Sequence, residues 1–343
     1  MSIGMVLVNH SAALPGYSRP NLLQTCFPFF FDGNLGVRFF FVISGFIITY
    51  LLVQEHDLNG MVSLKNFYIR RALRILPVYF AYLIVIGLLQ IFTNLHQAAI
   101  TWVGDLTFTT NFLPRGIISF HLWSLAVEEQ FYLLWPPIFG WLIKREKYLL
   151  PVLALPVFVA LFCQAVSWAG QVPWIIHPLF RPQSSLVNFD SLATGCLTAF
   201  AFAHHREKLV RCLAGWGKFY SLSLAACLVL LPFFNVACLS PFTAIAGNLC
   251  QALGFAILML ASILQPATFG PLNWPWVTRL GIISYSIYIW QEIFCAGAKT
   301  YGFAQFWWLS FPGWLAPSLL VGFASYYGLE KPLLKLRSGF RKT

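Results

Sequence analysis

Acidic side chains are scarce here: 11 Asp and Glu against 22 Lys and Arg in 343 residues, and charged residues of both signs make up only 10%. A soluble domain carries about 25% charged residues, so a large solvated surface is excluded. CxxC pairs and His/Cys clusters are lacking too, which leaves no metal site to read and no cofactor to bind. No internal repeat is visible, which argues against inverted-repeat transporter folds. A low-complexity linker and a second domain are also missing, so residues 1–343 read as a single membrane domain.

Apolar residues are abundant, at 59% of the chain, with a mean hydropathy of +0.72. They fall into stretches of roughly 20 residues, the length that crosses a bilayer as a helix. With no water in the hydrocarbon core, the backbone must satisfy itself, and helices do so. The expected fold is therefore all-α and polytopic, with about ten spans. They are placed at 1–14, 35–54, 74–93, 119–143, 149–168, 186–204, 217–236, 243–264, 277–298 and 309–329. The first would extend only about 21 Å, short of a bilayer, so a truncated first helix is expected.

With an even number of spans, every Lys and Arg except Arg19, Arg38, Arg115, Arg181 and Lys299 falls on one side. The positive-inside bias puts both termini in the cytoplasm. The net charge of +11 is then topology and lipid contact rather than nucleic-acid binding. Cys163, Cys196, Cys227, Cys250 and Cys295 lie in apolar spans and read as small hydrophobes. A Cys26–Cys238 pair is the less favoured reading of the two outer cysteines. Trp102, Trp168, Trp174, Trp274, Trp276, Trp307, Trp308 and Trp314 read as an interfacial belt.

Ionisable residues inside spans are costly and come first as functional candidates. His10 lies along the first helix, as an interhelical hydrogen-bond partner or as a general base. Glu128 and Glu129 sit together in an apolar helix. His121, Ser124, Glu128 and Tyr132 make one polar stripe, and Glu129 points to a neighbouring face. Arg70, Arg71 and Arg74 open the third span, with Arg70 and Arg74 one turn apart on one face. They suit a phosphate-bearing ligand, although spacing alone favours plain interfacial anchoring. Weaker signals are Asp190, placed to cap the sixth span, and Arg38 at the start of the second. The Ser44–Gly45 pair is small enough for close helix approach. Ser284, Tyr285, Ser286, Tyr288 and Gln291 form a polar cluster in the ninth span.

The stretches GNLGVRFFFVISGFIITYLL, FYIRRALRILPVYF, FHLWSLAVEEQFYLLWP, LGIISYSIYIWQ and YGLEKPLLKLR, in this order, resemble the acyltransferase family 3 membrane proteins. That group includes O-antigen and nodulation-factor O-acetyltransferases. The resemblance implies a ten-helix core in the bacterial inner membrane that moves an acyl group, usually acetyl from acetyl-CoA, onto a hydroxyl of a carbohydrate or glycolipid. It implies that Arg70, Arg71 and Arg74 bind acyl-CoA, that His10 is the general base or a transient acyl carrier, and that Glu128 orients it with Glu129 in support. The family's Arg about ten residues before this His would precede Met1, in line with the truncation. Gln291 stands where some members have His, and it receives no proton-transfer role. Members with an extra extracytoplasmic domain exist; none is present in these residues, so the membrane domain completes transfer or hands it to a separate extracytoplasmic partner. The competing function is a non-catalytic transporter or flippase of acylated glycan precursors. A membrane scaffold, a third reading, leaves the buried His and carboxylates without a role.

Overall fold

A computed structural model describes residues 3–7, 32–93, 95–170, 172–173, 176–233, 240–296 and 313–336. Among them every regular element is helical. Residues 3–7 are helical, and ten helices of eight residues or more follow: α1 (Gly33–Asn59), α2 (Leu64–Phe92), α3 (Ala99–Leu106), α4 (Leu122–Leu142), α5 (Leu149–Trp168), α6 (Ser185–His204), α7 (Arg206–Leu230), α8 (Ser240–Leu264), α9 (Pro275–Cys295) and α10 (Leu315–Ser325), with a four-residue helix, His177–Phe180, leading into α6. A π-helical turn, Tyr326–Glu330, and a short helix, Lys331–Leu336, end the described chain.

Among the described residues, five helices are long and apolar enough to cross a membrane: Gly33–Asn59, Leu64–Phe92, Leu149–Trp168, His177–His204 and Ser240–Leu264. They occupy the expected second, third, fifth, sixth and eighth spans. Leu122–Leu142 and Pro275–Cys295 are 21 residues each, and both contribute side chains to the site.

Local signals set the helix ends. Asp32 caps α1 by accepting from the Asn34 amide at 2.9 Å, and Gly60 ends it in the left-handed conformation at φ 71°. A β-carbon is disfavoured there, so glycine suits the position. Ser63 caps α2 through the Asn66 amide at 3.4 Å. This cap starts the helix ten residues before the expected span, so Arg70, Arg71 and Arg74 lie inside α2 rather than at its opening. Ser184, not Asp190, caps α6. Asp190 lies in the second turn and is only 1% exposed.

Small residues bring α1 and α6 together. A β-carbon on Gly45 would run into the Leu192 carbonyl, and one on Gly195 into the Val42 carbonyl. Without a water-driven force between membrane helices, such close approach supplies the packing. The main core joins α1, α2, α4, α6 and α9 through residues such as Phe41, Ile48, Val78, Leu122, Leu192 and Ile289. Trp168, Trp274 and Trp276 are exposed, as an interfacial belt requires. Trp314 departs from that expectation, being fully buried. It packs with Cys295 instead.

Candidate acyl-transfer site

The middle of α1 and the first half of α4 face each other across a cavity of about 440 Å³. Helix α2 contributes Arg71, Arg74 and Ile75, and α9 contributes Ser284, Tyr285 and Tyr288. Apolar side chains of α1, Phe40, Ile47, Ile48 and Leu51, line one wall, and Ile3 reaches in from residues 3–7.

Glu128 and Glu129 both line this cavity. The expected split between two faces does not separate them, because the cavity is wide enough to take adjacent positions of α4. The Ser44 hydroxyl donates to Glu128 Oε1 at 2.5 Å, and the Tyr132 hydroxyl donates to Ser44 Oγ at 3.3 Å. The Arg71 guanidinium lies over the Tyr132 ring, 5.5 Å from its centroid, and over Phe67 at 5.7 Å. Arg71 and Arg74 are both within electrostatic reach of Glu128. Glu129 Oε1 is buried and accepts no hydrogen bond among the described residues. A buried oxygen of this kind is costly, and one facing a cavity is available to a ligand.

The arginines divide differently from their helical spacing. Arg71 and Arg74 face the cavity. Arg70, instead of sharing their site, donates to Glu55 Oε2 at 2.7 Å. Glu55 Oε1 accepts from the Ser63 amide at 3.0 Å, so this pair ties the end of α1 to the cap of α2. The polar stripe also divides. Ser124 and the Tyr288 hydroxyl are 2.5 Å apart beside the cavity, and Tyr288 donates to the His121 carbonyl at 2.9 Å. His121 itself is buried, with Nε2 3.1 Å from the Ile289 carbonyl and its ring edge-on to Tyr82. His10 lies outside the described residues, as do Cys26 and Cys238.

Arg38 belongs elsewhere. It donates to Gln251 and lines a separate cavity with Gln164 and Asn248.

Two carboxylates, a carboxylate-bonded hydroxyl and two guanidiniums around one cavity are equipped to bind an anionic ligand and move a proton. Residues 1–327 match the profile of acyltransferase family 3, described as an acyltransferase domain. The chain belongs to this family. Among curated relatives, this family member is 30% identical over 293 residues to the peptidoglycan O-acetyltransferase OatA of Listeria monocytogenes, covering 76% of this chain and 44% of the relative. It is 26% identical over 339 residues to YrhL of Bacillus subtilis, a protein inferred to be a peptidoglycan O-acetyltransferase, covering 90% and 51% respectively. A Staphylococcus aureus protein inferred to be an O-acetyltransferase is 38% identical over 129 residues, which is 34% of this chain and 21% of the relative. The chain thus spans about half the length, or less, of these relatives. No solved structure matches the chain.

Sequence reasoning read Ser44 only as a small residue and overlooked Glu55. No sequence signal pointed to Ser44: Gly45 beside it marks the face packed on α6, and Ser44 lies about 100° round the helix from it.

Proposed function

We propose that this acyltransferase is an O-acetyltransferase that moves an acetyl group from acyl-CoA to a hydroxyl of a carbohydrate or glycolipid acceptor. The observation that carries the reading is the convergence of Arg71, Arg74, Glu128 and Glu129 on one cavity inside the acyltransferase domain. Arg71 and Arg74 hold the donor's phosphates, since guanidinium binds phosphate through paired hydrogen bonds. Arg70 supports them through the α1–α2 turn. Glu128 and Glu129 handle the protons exchanged between acceptor hydroxyl and leaving group, with His10 as base from the first helix. The relatives in Listeria monocytogenes and Bacillus subtilis favour a peptidoglycan-type glycan as acceptor.

In this reading residues 1–343 act as a single membrane domain of about ten spans in the bacterial inner membrane. Both termini are cytoplasmic, so the arginine end of the cavity meets cytoplasmic acyl-CoA. A separate extracytoplasmic protein could receive the product.

The test is transfer itself. The full chain is reconstituted in lipid and given radiolabelled acetyl-CoA with peptidoglycan fragments. Label in an alkali-labile ester on the glycan is the expected result. Intact acetyl-CoA together with movement of acylated glycan across the bilayer would replace this reading with transport.

A further inference from the structure

We propose that Ser44 is the acyl carrier of this site, holding the acyl group as an ester between donor and acceptor; the inference rests on the acyl-transfer reading above. A serine in the middle of a helix ordinarily bonds back to a carbonyl of its own preceding turn. Ser284 does so to Gly281 and Ser318 to Trp314. Ser44 instead donates across the helix interface to Glu128 Oε1 at 2.5 Å. Its remaining lone pair accepts from the Tyr132 hydroxyl at 3.3 Å. Nucleophile, base and orienting donor within hydrogen-bond reach is the arrangement by which a hydroxyl is activated for covalent catalysis.

Two contrasts within the molecule single this serine out. Ser286 also donates to a carboxylate, that of Glu330, but both are buried and neither lines the cavity. Ser124 does line the cavity, but its hydroxyl is engaged with Tyr288 and the His121 carbonyl. Ser44 combines a carboxylate partner with access to the cavity, and Arg71 stacks over the Tyr132 ring that bonds it.

The steps balance. Ser44 Oγ bonds to the acyl carbon of an activated donor, a thioester, while the acyl–sulfur bond breaks. Glu128 takes the serine proton and passes it to the departing thiolate. In the second half the acceptor oxygen bonds to the acyl carbon, the Ser44 ester bond breaks, and Glu128 returns the acceptor's proton to Ser44 Oγ. No oxidant or further reactant is required.

The experiment uses the full chain in lipid with radiolabelled acetyl-CoA, without acceptor, followed by acid quench and peptide mapping. Label on the peptide containing Ser44, discharged when peptidoglycan fragments are added, is the expected result. Ser44→Ala should lose this label and transfer at least about a hundredfold more slowly. Ser44→Cys keeps the size of the side chain and should trap the label as a thioester released by neutral hydroxylamine, a readout that a merely structural serine would not give. Parental protein that transfers acetyl with no ester at Ser44, or Ser44→Ala at the parental rate, would overturn the carrier while leaving the acyltransferase reading intact. A parental protein that transfers nothing from acetyl-CoA would remove both.

Discussion

The Asp105 carboxyl and the Glu128–Glu129 pair are built to opposite specifications. Asp105, on the short helix α3, is fully buried; its Oδ1 accepts from the Thr110 hydroxyl at 3.0 Å and its Oδ2 from the Gln97 amide at 2.8 Å. Tyr79 of α2 donates to the Asp105 carbonyl at 2.7 Å. Both carboxyl oxygens are used, so this carboxyl ties the 97–110 segment together, and the Tyr79 bond to its main chain joins that segment to α2. Glu128 and Glu129 face a cavity, and Glu129 Oε1 has no hydrogen-bond partner among the described residues. A complete set of partners marks a structural carboxyl, and an incomplete set beside a cavity marks one held for a ligand.

The comparison breaks first at activity. Glu128→Gln should lower acetyl turnover about 10²–10⁴-fold, the usual cost of removing a general acid–base group, with thermal unfolding nearly unchanged. Asp105→Ala should do the reverse: it orphans two buried donors at about 1–3 kcal/mol each, lowering the melting temperature while turnover per folded molecule stays at the parental value. A catalytic defect in Asp105→Ala as deep as that in Glu128→Gln would erase the distinction.

A second contrast, among the arginines, sharpens it. Arg71→Ala or Arg74→Ala should raise the KM for acetyl-CoA about tenfold or more, because a charge-assisted contact contributes about 1.5–3 kcal/mol. Arg70→Ala should leave that KM within about twofold and lower thermal stability through the lost Glu55 pair. Equal KM effects at all three would mean that the Arg70–Glu55 pair opens to the donor.

Much of this was legible in the sequence, for physical reasons. Apolar runs the length of a bilayer located the helices, and ionisable residues within them picked out Glu128, Glu129, Arg71 and Arg74. Tertiary register was not legible. Arg70 and Arg74 share a helical face, but Glu55 on α1 claims Arg70, and only the packing of two helices reveals it. Ser44 stood in a run of Phe, Val and Ile, where a hydroxyl is by default bonded to its own helix. The start of α2 was not legible, because Ser63 caps the helix a polar turn, Lys65 and Asn66, ahead of its apolar run. Trp314 looked interfacial because nothing in its neighbours discloses the pocket that buries it.

The smallest expected effect concerns pH. Burial pushes the Asp105 carboxyl up to about 6, against hydrogen bonds from Ser119, Thr110 and Gln97 that pull it down. The folded protein then keeps a proton that the unfolded chain releases between about pH 4 and 6. Asp105's contribution to stability is therefore largest below about pH 4 and declines as the pH rises through about 6. Asp105→Asn should flatten that slope in thermal unfolding measured across this range, and an unchanged slope would contradict the assignment.

The central claim is that one cavity, walled by Ser44, Arg71, Arg74, Glu128 and Glu129, receives the acyl donor. Photocrosslinking reads this directly. An acetyl-CoA analogue with a photoreactive acyl group, irradiated on the full chain in lipid, should label peptides spanning 40–51 and 124–132, and excess acetyl-CoA should suppress the labelling. Arg71→Ala should reduce it about tenfold at limiting analogue. Label that acetyl-CoA suppresses but that maps only to peptides outside this cavity, with Arg71→Ala unaffected, would contradict the account.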